Sequence, residues 1–293
     1  MTTTEPPVAY SGEPGAFAED AVIAAFGADA PRLPVGGFRE VFEAVAAGRA
    51  RAGVVPIENL VNGTVRETYD LLLEHELMIA AEVTVPVDLS LAALPGTKLD
   101  AVERVYSHIQ ALGQAERFLR RGRWQLLTTY NTAGAGRFIR EQDDHAAAAV
   151  LSSRAAEVLG LTVLARSIQD VANNRTKFLV LATAGPTGTT GPVGSAGPTG
   201  IAGAVADGTF RTTIAFGVRN EPGTLLRALR VFADRGINLS KLESRPSRSA
   251  AWEYVFWADL DAHRSDASCS AAIAELGAVA RMVRVLGSYR RST

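Results

Sequence analysis

Cysteine is almost missing from this chain. Cys269 is the one cysteine in 293 residues, so no disulfide forms within the chain and a disulfide-stapled scaffold is excluded. Long apolar runs are missing too: no stretch approaches the roughly 18 residues that a membrane helix needs. The opening "MTTTEPPVAY" lacks a cationic segment followed by an apolar one, so a cytoplasmic protein with no membrane association is expected. Charge is balanced as well. Thirty Lys and Arg against 31 Asp and Glu leave a net charge of -1, which gives nucleic acid no basic footprint to bind. No metal-ligand spacing, full dinucleotide glycine fingerprint or GxSxG motif is visible, so neither metal nor cofactor is expected. What is present is an ordinary soluble composition, 47% hydrophobic and 21% charged, in a chain long enough for two or three cores.

The sharpest internal boundary is "GPTGTTGPVGSAGPTGIAG", where glycine returns at every third position from Gly185 to Gly203. The period is collagen's, but the stretch is short and poor in proline, so residues 185–207 read as a Gly/Pro-rich linker. Before it, short apolar runs alternate with helical patterns, as in "AGVVPI" followed by "TVRETYDLLLEH" and "RVYSH" followed by "ALGQAERFLRR". This alternation predicts α/β units on mostly parallel sheets. Two long extended stretches, near 77–94 and 161–182, are expected to cross between two α/β lobes and so to frame a cleft. After the linker the order strand, helix, strand, strand, helix, strand over residues 208–293 is the βαββαβ ferredoxin-like plan. Its first helix is expected to have Pro222 in its opening turn and Gly236 after its end.

Polar groups gather where these strands end. "YSGEPGAFAEDA" leads from a strand through two glycines into a helix with Glu19 and Asp20, a candidate anion site. "VPIENLVNGTV" places Glu58 and Asn59 at the next strand end, where they are candidates to meet a ligand; the plainer alternative is a turn with Thr64 as the helix cap. "SHIQALGQ" sets Ser107, His108 and Gln110 at a third, where a lone histidine is more often structural than catalytic. "AAAAVLSSR" brings Ser152. "VANNRTKFLV" puts Asn173, Asn174, Arg175, Thr176 and Lys177 directly before a buried strand at the inferred cleft.

Taken together these motifs resemble those of prephenate dehydratase, and "EPGTLLRALRVFADRGINLSKLESRPSR" is similar to the ACT regulatory domain. The resemblance implies a catalytic domain over residues 1–184, two-lobed like a periplasmic binding protein, and an ACT domain over 208–293. It also implies a homodimer or homotetramer, prephenate as substrate and L-phenylalanine as effector. The family's "TRF" motif falls on Thr176, Lys177 and Phe178. Thr176 is the implied catalytic residue; Lys177, Phe178, Asn174, Asn59, Glu58 and Ser152 are the implied substrate-binding residues. For the effector the implied residues are Gly223, Thr224, Leu225, Asn238, Leu239, Glu243, Ser244, Arg245 and Pro246. Two departures stand out. Lys177 replaces the family's arginine, losing the planar fork that grips a carboxylate, and Leu60 replaces the serine of "ENS". Within a regular strand Thr176 and Lys177 face opposite ways, so both reach one substrate only if the strand begins after them. The alternatives are a diverged enzyme, acting on arogenate or decarboxylating prephenate without aromatising it, and an aromatic-ligand sensor without turnover.

Overall fold

Apolar residues on successive strands and on one face of the intervening helices force the chain into layered sheets. The computed structural model describes residues 5–183, 209–246 and 254–292; the expected linker, 185–207, lies outside the described residues. The first sheet is built from β1 (Val8–Ser11), α1 (Phe17–Phe26), β2 (Arg32–Val35), α2 (Phe38–Ala46), β3 (Ala52–Asn59), β4 (Gly63–Thr64), α3 (Arg66–Glu74) and β5 (Leu77–Pro86). The second comprises β6 (Ser90–Ala93), β7 (Arg104–Ser107), α4 (Ile109–Gln114), α5 (Glu116–Leu119), β8 (Gln125–Thr128), α6 (Thr132–Glu141), β9 (Ala147–Leu151), α7 (Ser153–Val158) and β10 (Thr162–Ala165). The chain then returns to the first sheet as β11 (Arg175–Thr183), giving the orders β2-β1-β3-β11-β5 and β10-β6-β9-β7-β8.

The chain therefore passes between the sheets twice. Those two passages hydrogen-bond to each other: Val87 N–H donates to the Asn174 carbonyl (2.9 Å), Ile168 N–H to that of Leu89 (2.8 Å), and Leu89 N–H to Gln169 Oε1 (2.9 Å). In the first sheet β1 pairs in parallel with β2 and β3. In the second β7 is parallel to β8 and β9, while β6 and β10 run antiparallel to their neighbours. β9 is buried along its length and serves both faces: Ala148 and Val150 enter one cluster with Leu91 and Leu112, while Ala149 and Leu151 enter another with Ile139 and Ala155.

The carboxyl-terminal part follows the expected βαββαβ plan: β12 (Phe210–Gly217), α8 (Thr224–Ala233), β13 (Leu239–Pro246), β14 (Tyr254–Leu260), α9 (Ala267–Val279) and β15 (Met282–Arg290), in an antiparallel sheet ordered β13-β14-β12-β15. The chain forms two compact units, residues 1–75 with 83–179 and residues 76–82 with 180–293. The division thus runs within β5 and β11. In the second unit Glu82 of β5 pairs with Arg211 of β12 at 2.5 Å, both almost fully buried. Gly287 of β15 approaches the main chain of β5 so closely that a Cβ would lie 2.2 Å from the Ile79 carbonyl oxygen.

Two local expectations are corrected. Thr64 is not a helix cap but lies in β4, opposite Glu58, and α3 starts after Val65. Pro222 precedes α8; the capping residue is Gly223, whose φ of 81° is left-handed and favours glycine.

Candidate active site

β3 ends in a short hairpin with β4, turned at Gly63, whose φ is +74°. Inside that turn the Asn59 side-chain carbonyl accepts from Val61 N–H (3.0 Å) and Asn62 N–H (2.9 Å). Two main-chain donors on one oxygen fix the amide's orientation, so its NH2 must face the other way. It donates to Asn174 Oδ1 (2.9 Å), to Thr176 Oγ1 (2.9 Å) and to the Arg175 carbonyl (3.2 Å). The Thr176 oxygen is therefore an acceptor, and its own proton has no partner among the described residues. A half-buried hydroxyl held in this way keeps a proton that it can donate.

Asn174, 2% exposed, continues the chain. Its NH2 donates to Gln114 Oε1 (2.9 Å) at the end of α4, joining a side chain of the second sheet to one leading into the first. Beside this contact lies a cavity of about 310 Å³ whose walls include Val61, Asn62, Gln110, Gln114, Gln169 and Asn174. Gln114 was not among the residues expected from the sequence. A signal was present, because Gln110 and Gln114 stand one helical turn apart and face the same way.

The expected substrate-binding residues divide. Asn59, Asn174 and Thr176 come together. Lys177 does not join them, because β11 begins at Arg175 and successive side chains alternate faces. Its ammonium lies 4.0 Å from Glu58, so these two share the face opposite Thr176 and Asn59. Phe178 is buried in the sheet. Leu60 is 69% exposed and donates its N–H to the Arg175 carbonyl (3.0 Å).

Ser152 caps α7, accepting from Ala155 N–H (3.0 Å) while its hydroxyl donates to the Gly15 carbonyl (3.2 Å), so its proton is committed to a contact between loops. The expected anion site at the start of α1 is filled by the chain itself: Glu19 accepts from Gly15 N–H (2.7 Å) and from Arg154 (2.8 and 2.5 Å). Arg154 also meets Asp20 at 3.1 Å, yet burial raises the Asp20 carboxyl to about 6 despite that cation. His108 caps α4 through Nδ1, which accepts from Gln110 N–H (3.3 Å), and burial lowers its pKa. Ser107 is buried and donates to the Val150 carbonyl (2.6 Å).

Among the implied effector residues, Thr224 donates its hydroxyl to the Arg219 and Glu221 carbonyls (2.6 and 2.8 Å), tying the loop before α8. Leu225 and Leu239 pack against the same core cluster. Asn238 donates to Asp261 Oδ2 (2.7 Å). Glu243, Ser244, Arg245 and Pro246 alternate along β13, which among the described residues is an edge strand paired with β14, so Glu243 and Arg245 share one face and Ser244 and Pro246 the other.

Comparison with known proteins agrees with this architecture. Residues 8–186 match the family model for prephenate dehydratase and residues 212–278 that for the ACT domain. Over 289 residues the chain is 38% identical to a bifunctional chorismate mutase/prephenate dehydratase of Aquifex aeolicus, covering 97% of this chain and 74% of that one. It is 37% identical over 300 residues to arogenate dehydratase 5 of Arabidopsis thaliana, covering 96% and 67%. The crystal structure of prephenate dehydratase in complex with L-Phe from Arthrobacter aurescens superposes with a TM-score of 0.85 at 31% identity, over 98% of this chain and 90% of that one.

Proposed function

The chain belongs to the prephenate dehydratase family, and from that membership we propose that it converts prephenate to phenylpyruvate, a carbon-oxygen lyase reaction of phenylalanine biosynthesis. Prephenate loses carbon dioxide and its ring hydroxyl, and aromatisation of the ring supplies the driving force. The protein has to hold the ring, exclude water and help hydroxide depart. The observation that carries the reading is the Thr176 hydroxyl, whose oxygen is held by Asn59 and whose proton is left to donate. Thr176 hydrogen-bonds the leaving hydroxyl. A threonine hydroxyl is too weak an acid to surrender its proton outright, so the group leaves as hydroxide, hydrogen-bonded by Thr176, and the dianionic substrate gives carbon dioxide, hydroxide and the phenylpyruvate monoanion, the hydroxide being neutralised in solvent after release. Asn59 and Asn174 hold the Thr176 hydroxyl in place, and Lys177 pairs with Glu58 on the opposite strand face.

L-Phenylalanine as effector of the ACT domain belongs to the same proposal, supported by the ACT match and by the L-Phe complex of the Arthrobacter protein. So do a homodimer or homotetramer, with the effector between subunits near Gly223 and β13, and a cytoplasmic location. Among the described residues no helix is long and apolar enough to cross a membrane. A second reading, arogenate as substrate, is supported by similarity to the Arabidopsis protein.

The test supplies prephenate and arogenate separately to the purified chain, with and without phenylalanine. Phenylpyruvate from prephenate, read by its enol absorbance and suppressed by phenylalanine, is the expected result. Faster release of phenylalanine from arogenate would select the second reading, and no aromatic product from either would leave a non-aromatising decarboxylase, if prephenate is still consumed, or a binding protein, if it is not.

A further inference from the structure

Gln114 is held at two points by one short segment, residues 170–174. Its side-chain carbonyl accepts from Asn174 Nδ2 (2.9 Å), and its main-chain carbonyl accepts from Asp170 N–H (2.6 Å). Asp170 is itself fastened to the next helix. Its carboxylate oxygens accept from the main-chain N–H of Arg117 at 3.2 and 3.3 Å, its Oδ1 lies 3.2 Å from Arg117 Nε, and its carbonyl accepts from Arg117 Nη2. α4 ends at Gln114 and α5 starts at Glu116, so Asp170 spans the break between them. N–H groups in the first turn of a helix have no partner within it. Asp170 supplies one from 53 residues away. Although Asp170 is among the cavity walls, its carboxylate is already engaged by Arg117.

The amide chain from Gln114 to Thr176 has a direction, and direction is what can be lost. Each amide has one donating and one accepting end. At Asn59 the sense is set by two main-chain N–H groups; at Asn174 the outer end is set by the Gln114 carbonyl. If Gln114 withdraws, the outer end of Asn174 loses its acceptor and Asn174 can shift; Asn59 keeps its sense, set by Val61 and Asn62, but the partner packed on its NH2 is no longer held in place. The donor on Thr176 loses its support, and displacements of about 1 Å at such sites cost up to about 10²-fold in rate.

We propose that Asp170 is a positioning residue for the reaction: by fixing the α4–α5 break it keeps Gln114 against Asn174 and, through Asn174 and Asn59, holds the Thr176 hydroxyl in place. This rests on the reading that the chain turns over prephenate at Thr176. Two variants of the full chain separate position from charge. Asp170→Glu keeps the charge and moves the carboxylate by one methylene; Asp170→Asn keeps the position and one acceptor. The expected result with prephenate is that Asp170→Glu lowers kcat about tenfold with KM within about twofold, and that Asp170→Asn recovers kcat to within about threefold of wild type. In a Thr176→Ala background Asp170→Glu costs less than about twofold, because the group it positions is gone. Wild-type kcat in Asp170→Glu, or the same loss in both backgrounds, overturns the inference and leaves the functional reading standing. A wild-type chain with no turnover of prephenate removes both.

Discussion

The amide of Asn59 has one orientation available, and that single constraint decides what Thr176 can do. Asn59→Asp tests it: a carboxylate at this position accepts from Thr176, turning the hydroxyl proton inward. The expected outcome is a loss of kcat of about 10²-fold in the prephenate assay, with folding retained by circular dichroism. Asp20 offers a test of a different kind. Its pKa is raised to about 6 mainly by burial, with Arg154 opposing and Glu19 adding to the shift. Between about pH 4 and 6 the folded chain therefore holds a proton that the unfolded chain has released, so this residue makes stability fall as pH rises through that window. Asp20→Asn mimics the protonated form. It is expected to raise the thermal midpoint at pH 7, by about 1–3 kcal/mol of stability, and to make no difference below about pH 4. Asn59, Asn174 and Thr176 were legible because polar side chains at strand ends stand out against apolar runs. Gln114 was harder to see, since its role depends on a contact 60 residues away in sequence. The committed hydroxyl of Ser152 depends on Gly15, 137 residues distant, and no local pattern announces it.

At the scale of elements, β5 is the least readable from its sequence. "LMIAAEVTVP" reads as a buried strand with one charge in it, and nothing nearby explains Glu82. The partner, Arg211, is 129 residues on in β12, and Ser292 N–H also donates to Glu82 (2.9 Å). Arg211 has a second acidic neighbour, Asp259, but at 3.7 Å. Removing the charge from one member of a buried pair leaves the other uncompensated. Glu82→Gln is therefore expected to destabilise the chain by about 3 kcal/mol in denaturant unfolding, whereas an exposed pair such as Arg120–Glu116 contributes less than about 1 kcal/mol. Helix and strand types were readable from hydrophobic period in the βα units and in the βαββαβ unit, but not for β2, α2 and β4, and the extended stretches 77–94 and 161–182 each divide into strands of different sheets. The ends were less so, because capping is decided by single backbone angles: Gly223 rather than Pro222 sets the start of α8, and Thr64 is taken by β4 instead of capping α3. The alternation of β11 settles the difficulty over Thr176 and Lys177, placing them on opposite faces.

At the scale of the whole chain, the order of motifs was more informative than any one of them. βα repeats, two long extended passages and a closing βαββαβ unit identify the architecture even where each signal alone is weak. The partition of β5 and β11 between the two compact units was not visible, because both strands look uniformly buried in sequence and the division depends on which neighbours bury each half. The central claim, that this fold presents one threonine proton to a departing hydroxyl, is tested most directly by the turnover of prephenate in Thr176→Ala and Thr176→Ser beside the wild type. Alanine is expected to lower kcat by about 10²-fold or more, while serine, which keeps the hydroxyl, stays within about tenfold. An alanine variant as fast as the wild type would contradict it.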